Sequence, residues 1–119
     1  MLMTLKDYFE KQDTVRKAVM DLGIQTKTQV ILTFEGDPDK DISALCTSFA
    51  VLEQEIRTRY INDIKTGTAI VDYLFNAEFD FAYIYEGVGM GYKLIDEYIS
   101  VPVGDDSITA KFILRLKLD

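Results

Sequence analysis

The end of the chain constrains the fold more than any other segment. Ile108, Ala110, Phe112, Leu114, Leu116 and Leu118 alternate without a break with Thr109, Lys111, Ile113, Arg115 and Lys117. A period of two puts successive side chains on opposite faces of a strand, so one face here is apolar and the other carries the cations. A helix would scatter the same residues around its circumference. The segment predicts a strand with one buried face, central in a mostly antiparallel sheet.

Its expected neighbour is Glu78 to Glu86, where Phe79, Phe81, Tyr83 and Tyr85 alternate with Asp80, Ala82 and Ile84. An antiparallel register with Ile84 opposite Ile113 sets Glu86 against Lys111 and Asp80 against Lys117. It also stacks Tyr85 on Phe112, Tyr83 on Leu114 and Phe81 on Leu116. Each such pair contributes about 0.2–1 kcal/mol, while burying each large apolar side chain contributes about 1.5–3 kcal/mol. The other expected flank is Tyr98 to Val103. Pro102 cannot donate a ladder hydrogen bond, which assigns that strand to a sheet edge. Tyr92 to Tyr98 is read as a short helix.

Upstream, Leu5, Tyr8, Phe9, Val15, Val19 and Leu22 recur at helical spacing and predict an amphipathic helix over Thr4 to Leu22. Thr4 with Asp7 supplies the N-terminal cap, Gln12-Asp13-Thr14 a weak point, and Gly23 the stop. Thr28 to Glu35 alternates as a strand with Val30, Leu32 and Phe34 buried, and Gly36 to Lys40 is turn chemistry. Ile42, Leu45, Cys46, Phe49, Leu52, Ile56, Tyr60 and Ile64 fit a helix over Asp41 to Lys65 that Gly67 ends. A strand over Leu45, Thr47, Phe49 and Val51 is the alternative for its first part. Thr68 to Phe75 is too short and apolar to assign to helix or strand.

The expected fold is therefore α+β: an N-terminal amphipathic helix and one or two middle helices on a mostly antiparallel sheet, with the C-terminal strand central. With 119 residues, 48% of them hydrophobic, the chain suffices for a single globular domain over residues 1–119 without staples. Cys46 has no disulfide partner and lies in an apolar run, which reads as a small buried hydrophobe in a reducing compartment. The first residues turn charged too soon for a secretory segment, and no apolar run is long enough to span a bilayer. The expected location is the cytoplasm, or the host cytoplasm for a phage-encoded chain.

The formal net charge is −7. Between Thr66 and Asp106 the acids meet only Lys93, whereas Ser107 to Leu118 holds cations alone. Internal pairing of the two stretches is the expected resolution. Asp37, Asp39, Asp41, Asp96, Glu97, Asp105 and Asp106 form the candidate acidic surface, and direct nucleic-acid binding is disfavoured.

The chain contains no histidine, which removes the commonest general base and metal ligand. No serine sits in a nucleophile elbow. Gly87, Gly89 and Gly91 follow a strand, but Tyr92 stands where a dinucleotide fingerprint needs its third glycine. Glu35, Asp37, Asp39 and Asp41 lack the glycine and closing glutamate of a calcium loop, so Asp39 or Asp41 is expected to cap the next helix. Glu78 and Asp80 resemble an acid/base pair, although the register above gives Asp80 a lysine. No catalytic, cofactor or metal site is assigned.

Aromatics are enriched at protein interfaces, and Tyr92, Tyr98, Ser100 and Pro102, between a glycine loop and an edge strand, are the candidate interface. The expected role is a non-enzymatic interaction or assembly module that docks on another protein or on itself. Length, acidity and missing catalytic groups fit a small phage or mobile-element accessory protein. The alternatives are an acidic inhibitor occupying a nucleic-acid-binding groove of another protein, and a small-ligand binder with an aromatic pocket between sheet and helices.

Overall fold

The computed structural model describes residues 2–11, 26–82, 84, 85 and 92–118. In chain order the elements are β1 (Leu2–Thr4), helix α1 (5–11), β2 (Thr26–Phe34), a 3-10 turn (Pro38–Lys40), β3 (Ile42–Cys46), α2 (Phe49–Arg59), α3 (Ile64–Asn76), β4 (Glu78–Asp80), β5 (Ile84–Tyr85), β6 (Tyr92–Val103) and β7 (Asp106–Leu118). The fold is α+β. The main sheet has five strands in the order β3-β2-β7-β6-β5, and every neighbouring pair is antiparallel. β1 and β4 form a separate antiparallel pair.

β7 lies in mid-sheet, as its alternation requires. Phe112 is paired with Leu32 of β2 and Glu97 of β6, and Leu114 with Val30 and Ile95. Phe112, Leu114, Val30 and Leu32 are fully buried. The buried residues of strands and helices form one cluster, closed above Phe112 by the Phe79 ring at 5.2 Å. Tyr8 of α1 stacks on Phe81 at 5.0 Å, and its hydroxyl lies 3.0 Å from the buried Thr28 hydroxyl. Thr4 caps α1 by accepting a hydrogen bond from the Asp7 backbone N–H. Gln12-Asp13-Thr14 and Gly23 lie outside the described residues, as do Tyr83 and the glycine loop.

Four expectations are corrected. The segment 78–86 does not flank β7. It breaks after Asp80 into β4, paired with β1, and the two-residue β5, paired with Tyr92 and Lys93. Its expected place beside β7 belongs to β2, paired from Thr26–Leu118 to Phe34–Ala110. The other flank is β6, whose Tyr98 to Val103 part lies beside β7 as expected and is joined to it by the tight Gly104-Asp105 turn. The second correction is that Tyr92 to Tyr98 is strand throughout. A bulge at Leu94 makes the neighbours Leu94 and Ile95 both buried, a spacing that imitates a helix.

Third, Ile42–Cys46 is a strand, with Ile42 and Cys46 buried and Ser43 and Leu45 exposed. The helix starts only after Ser48, whose side chain accepts from the Val51 N–H. Fourth, Gly67 ends nothing. It lies in the first turn of α3, a helix capped by Asp63, which accepts from the Thr66 backbone and hydroxyl. A Cβ at Gly67 would stand 2.9 Å from the Tyr60 Cβ, so the glycine sets how closely α3 approaches the end of α2.

Among the described residues no helix is long and apolar enough to cross a membrane. Two substitutions test the packing, both read by urea unfolding. Phe112→Ala is expected to cost about 3–5 kcal/mol. Gly67→Ala is expected to cost about 1–3 kcal/mol from overpacking, despite alanine's better helix propensity; an unchanged or raised stability would show that Tyr60 can move aside.

Candidate functional site

The described helices join Phe112 and Leu114 in one buried cluster on one face of the main sheet, while the opposite face carries the half-buried Lys111 and Ile113 and the exposed Asp96 and Tyr98. β6 contributes Asp96, Tyr98, Ser100 and Pro102 to this outer face, paired with Ile113, Lys111, Thr109 and Ser107. The bulge at Leu94 sets this alternation: beyond it Ile95, Ile99 and Val101 turn to the core. Three of the four candidate interface residues thus stand on one exposed stripe. Tyr92 opens β6 opposite Leu116 and Tyr85, and its side chain lies outside the described residues.

Among the described residues Tyr98 is the most exposed large hydrophobic, at 73%. The Lys111 Nζ lies 4.6 Å from its ring centroid and 2.5 Å from the Asp96 carboxylate, which Lys93 also approaches at 2.9 Å. A cation over an exposed ring is worth about 0.5–1 kcal/mol and restrains the ring. Hydrogen bonds from Lys111 and then Lys93 hold the Asp96 carboxyl below its ordinary value of 3.8. Beside Tyr98 lies a concavity of about 430 Å³ lined by Thr33, Glu35, Thr109, Ala110 and Lys111.

The outer margin of β6 is the second component. β5 pairs only with Tyr92 and Lys93, and the Ala82 N–H donates to the Leu94 carbonyl. From Asp96 to Val103 no described strand lies alongside. Gly104, at φ 62°, opens the two-residue turn closed by Val103 and Asp106, the pattern of a type II′ hairpin. The closing pair of such a hairpin is hydrogen-bonded, and the bonding alternates along the ladder. The N–H groups of Val103, Val101 and Ile99 therefore point to β7. Those of Ser100, Tyr98 and Asp96 point outward, and Pro102 falls in the outward set, where its missing donor breaks no ladder bond.

The candidate acidic surface does not assemble as one face. Asp96 is neutralised on the sheet. Asp41 braces the β2–β3 turn by accepting from the Phe34 N–H at 2.8 Å, and caps no helix. Lys40 ties the same turn to α2 by donating to the Arg59 carbonyl at 2.7 Å. Asp37 and Asp39 share the end of the sheet with Asp105 and Asp106, while Glu97 is exposed on β6. Lys111 pairs with Asp96, and Glu86, its expected partner, lies outside the described residues. Buried Cys46 has its thiol pushed up to about 11, by desolvation first and then by Glu55, as expected of a packing residue.

Sequence reasoning missed Lys93 and Lys111 as parts of the Tyr98 site, because Tyr92 to Tyr98 was read as a helix and Lys111 was assigned to Glu86. It also missed Ile61 and Ile64, exposed at 69% and 70%. The polar Asn62-Asp63 between them, a turn followed by a helix cap, was the available signal. Comparison with protein-family models, curated proteins and solved structures returned no match.

A carboxyl with a depressed folded pKa stabilises the fold above its ordinary pKa, and that contribution is lost as pH falls through the folded value. NMR titration is therefore expected to place the Asp96 midpoint below 3.8, rising toward that value in Lys111→Ala. A midpoint at or above 3.8 in the wild type would show that the lysines do not hold it.

Proposed function

We propose that this chain is a non-enzymatic docking module that receives an extended segment of a partner protein along the free margin of β6. The observation that carries this reading is the coincidence of two features on one short stretch. Tyr98 and Ser100 turn their backbone donors toward an edge with no described strand beside it, and the exposed Tyr98 ring stands over a concavity on the adjoining face. Strand addition uses such an edge for affinity and a side-chain pocket for specificity. A segment laid against Tyr98 and Ser100 would set every second side chain on the outer face, within reach of the Tyr98 concavity.

Asp96, Lys93 and Lys111 support this use as a positioning set. Lys111 restrains the Tyr98 ring, and the two lysines already hold the Asp96 carboxylate, so a docking segment meets no unpaired acid beside Tyr98. The alternative of an acidic inhibitor draws on Asp37, Asp39, Asp105 and Asp106 at one end of the sheet, without Asp96.

The test separates backbone from side-chain recognition. Ser100→Pro removes an outward donor and leaves the β7 ladder intact, because proline is tolerated at edge positions facing away from the sheet. A partner retained from a native-host lysate by the wild type is expected to be lost with Ser100→Pro and weakened about tenfold or more with Tyr98→Ala. Leu2→Ala, on the separate β1–β4 pair, should retain it. Retention by all three variants would sink the proposal.

A further inference from the structure

A second surface, separate from β6, lies where α2 turns into α3. Leu52, Ile56 and Tyr60 hold α2 on the core, and Ile70, Val71 and Leu74 hold α3 there. On the side away from the sheet the two helices leave a groove of about 620 Å³. Ala50, Gln54, Arg57 and Ile61 run along it, with Ile64 and Gly67 at the corner. Ile61 and Ile64 stand 69% and 70% exposed, side by side at the mouth of this groove.

We infer that this groove is a self-association surface, filled by the α2–α3 corner of a second copy of this chain in a twofold, antiparallel arrangement. Three observations favour a second copy. The first is side-chain size: of the lining residues, small Ala50 comes first along the chain and large Ile61 lies just past the end of α2. Antiparallel pairing of α2 with its symmetry mate lays each Ile61 on the other copy's Ala50, about 16 Å along the helix. The second is charge. Glu53 and Arg57 lie one turn apart on α2, bridged at 2.9 Å. The same antiparallel pairing brings each Glu53 beside the Arg57 of the mate, so the contact is self-complementary, as an isologous interface requires. The third is local neutrality. The chain carries −7 in all, yet Glu53 and Arg57 cancel within the groove, so acid repulsion is not concentrated there.

Arg57 is also positioned for this role, since its guanidinium donates to Glu53 and to the Thr68 hydroxyl across the two helices. It thereby stiffens the groove wall before any partner arrives.

Sedimentation equilibrium on the full chain tests the inference. The wild type is expected to dimerise, and Ile61→Arg to raise the dimer dissociation constant about tenfold or more. Glu53→Arg and Arg57→Glu should each weaken the dimer. The double variant E53R/R57E restores opposite charges across the twofold axis and should recover most of the affinity. These positions are surface groups, so unchanged circular dichroism confirms that each variant folds. Tyr98→Ala should leave the dimer intact, which separates this surface from the β6 margin. A wild type still monomeric at about 1 mM would overturn the inference. So would a dimer indifferent to Ile61→Arg, or a double variant no better than the singles. Uptake of an amphipathic helical peptide or an apolar small molecule by a monomeric wild type would assign the groove to that occupant instead.

Discussion

Everything in this molecule is arranged around the burial of one side of β7. Phe112 and Leu114 are reached from both flanks at once, by Leu32 and Val30 of β2 and by Glu97 and Ile95 of β6. A strand buried on one face and paired on both edges has nowhere to send its polar residues except to the far face. Lys111 is therefore held outward by the same alternation that drives Phe112 inward. The core and the candidate surface are two consequences of one pattern, and the helices follow from it because they cover the face that β7 makes apolar.

The site depends on β6 in a comparable way. Without the bulge at Leu94 the strand would slip by one residue relative to its own first part, and parity would reverse beyond it. Ile99 and Val101 would then meet water while Tyr98 and Pro102 entered the core. Burial of the two aliphatic residues resists that slip at about 1.5–3 kcal/mol each. The exposure of Tyr98 is thus enforced by its neighbours' burial, and the Lys111 ammonium beside the ring merely orients it.

Much of this was legible in the sequence, and the misses share a cause. Period two identified β7 as central, and the alternation of Val30, Leu32 and Phe34 identified β2, because each signal is local to its own strand. Strand partners are not local. The aromatic alternation of 78–86 looked like the natural mate of β7, yet Phe79 meets Phe112 from the layer above the sheet, ring to ring, and not as a ladder partner. Helix and strand were confused at Ile42–Cys46 and at Tyr92–Tyr98, where a strand abutting a helix and a bulged strand both yield apolar residues three or four apart. At the site, Tyr98, Ser100 and Pro102 were readable from the proline alone. The Asp96–Lys111–Tyr98 arrangement was not, since it exists only because the strand beside β7 starts before Asp96, where a helix was read.

The margin of β6 from Asp96 to Val103, beside which no described strand lies, is guarded in a manner that bears on the proposed docking. Long bare edges invite indiscriminate pairing, and charges or proline on an edge discourage it. Here Asp96 and Glu97 stand at one end of the open stretch and Pro102 at the other, leaving Tyr98 and Ser100 as the outward donors between them. Hydrogen bonds contribute only about 0.5–1.5 kcal/mol each net of water, so so short a window cannot hold a strand by backbone alone. A second copy of β6 is a poor occupant, because antiparallel self-pairing about Ile99 would oppose each Asp96 to the donorless Pro102. The proposed docking would therefore have to add the Tyr98 concavity to the edge, and only a segment bearing a side chain that fits there would gain both. In the proposed docking the edge would supply direction and register and the ring discrimination, and neither would suffice without the other.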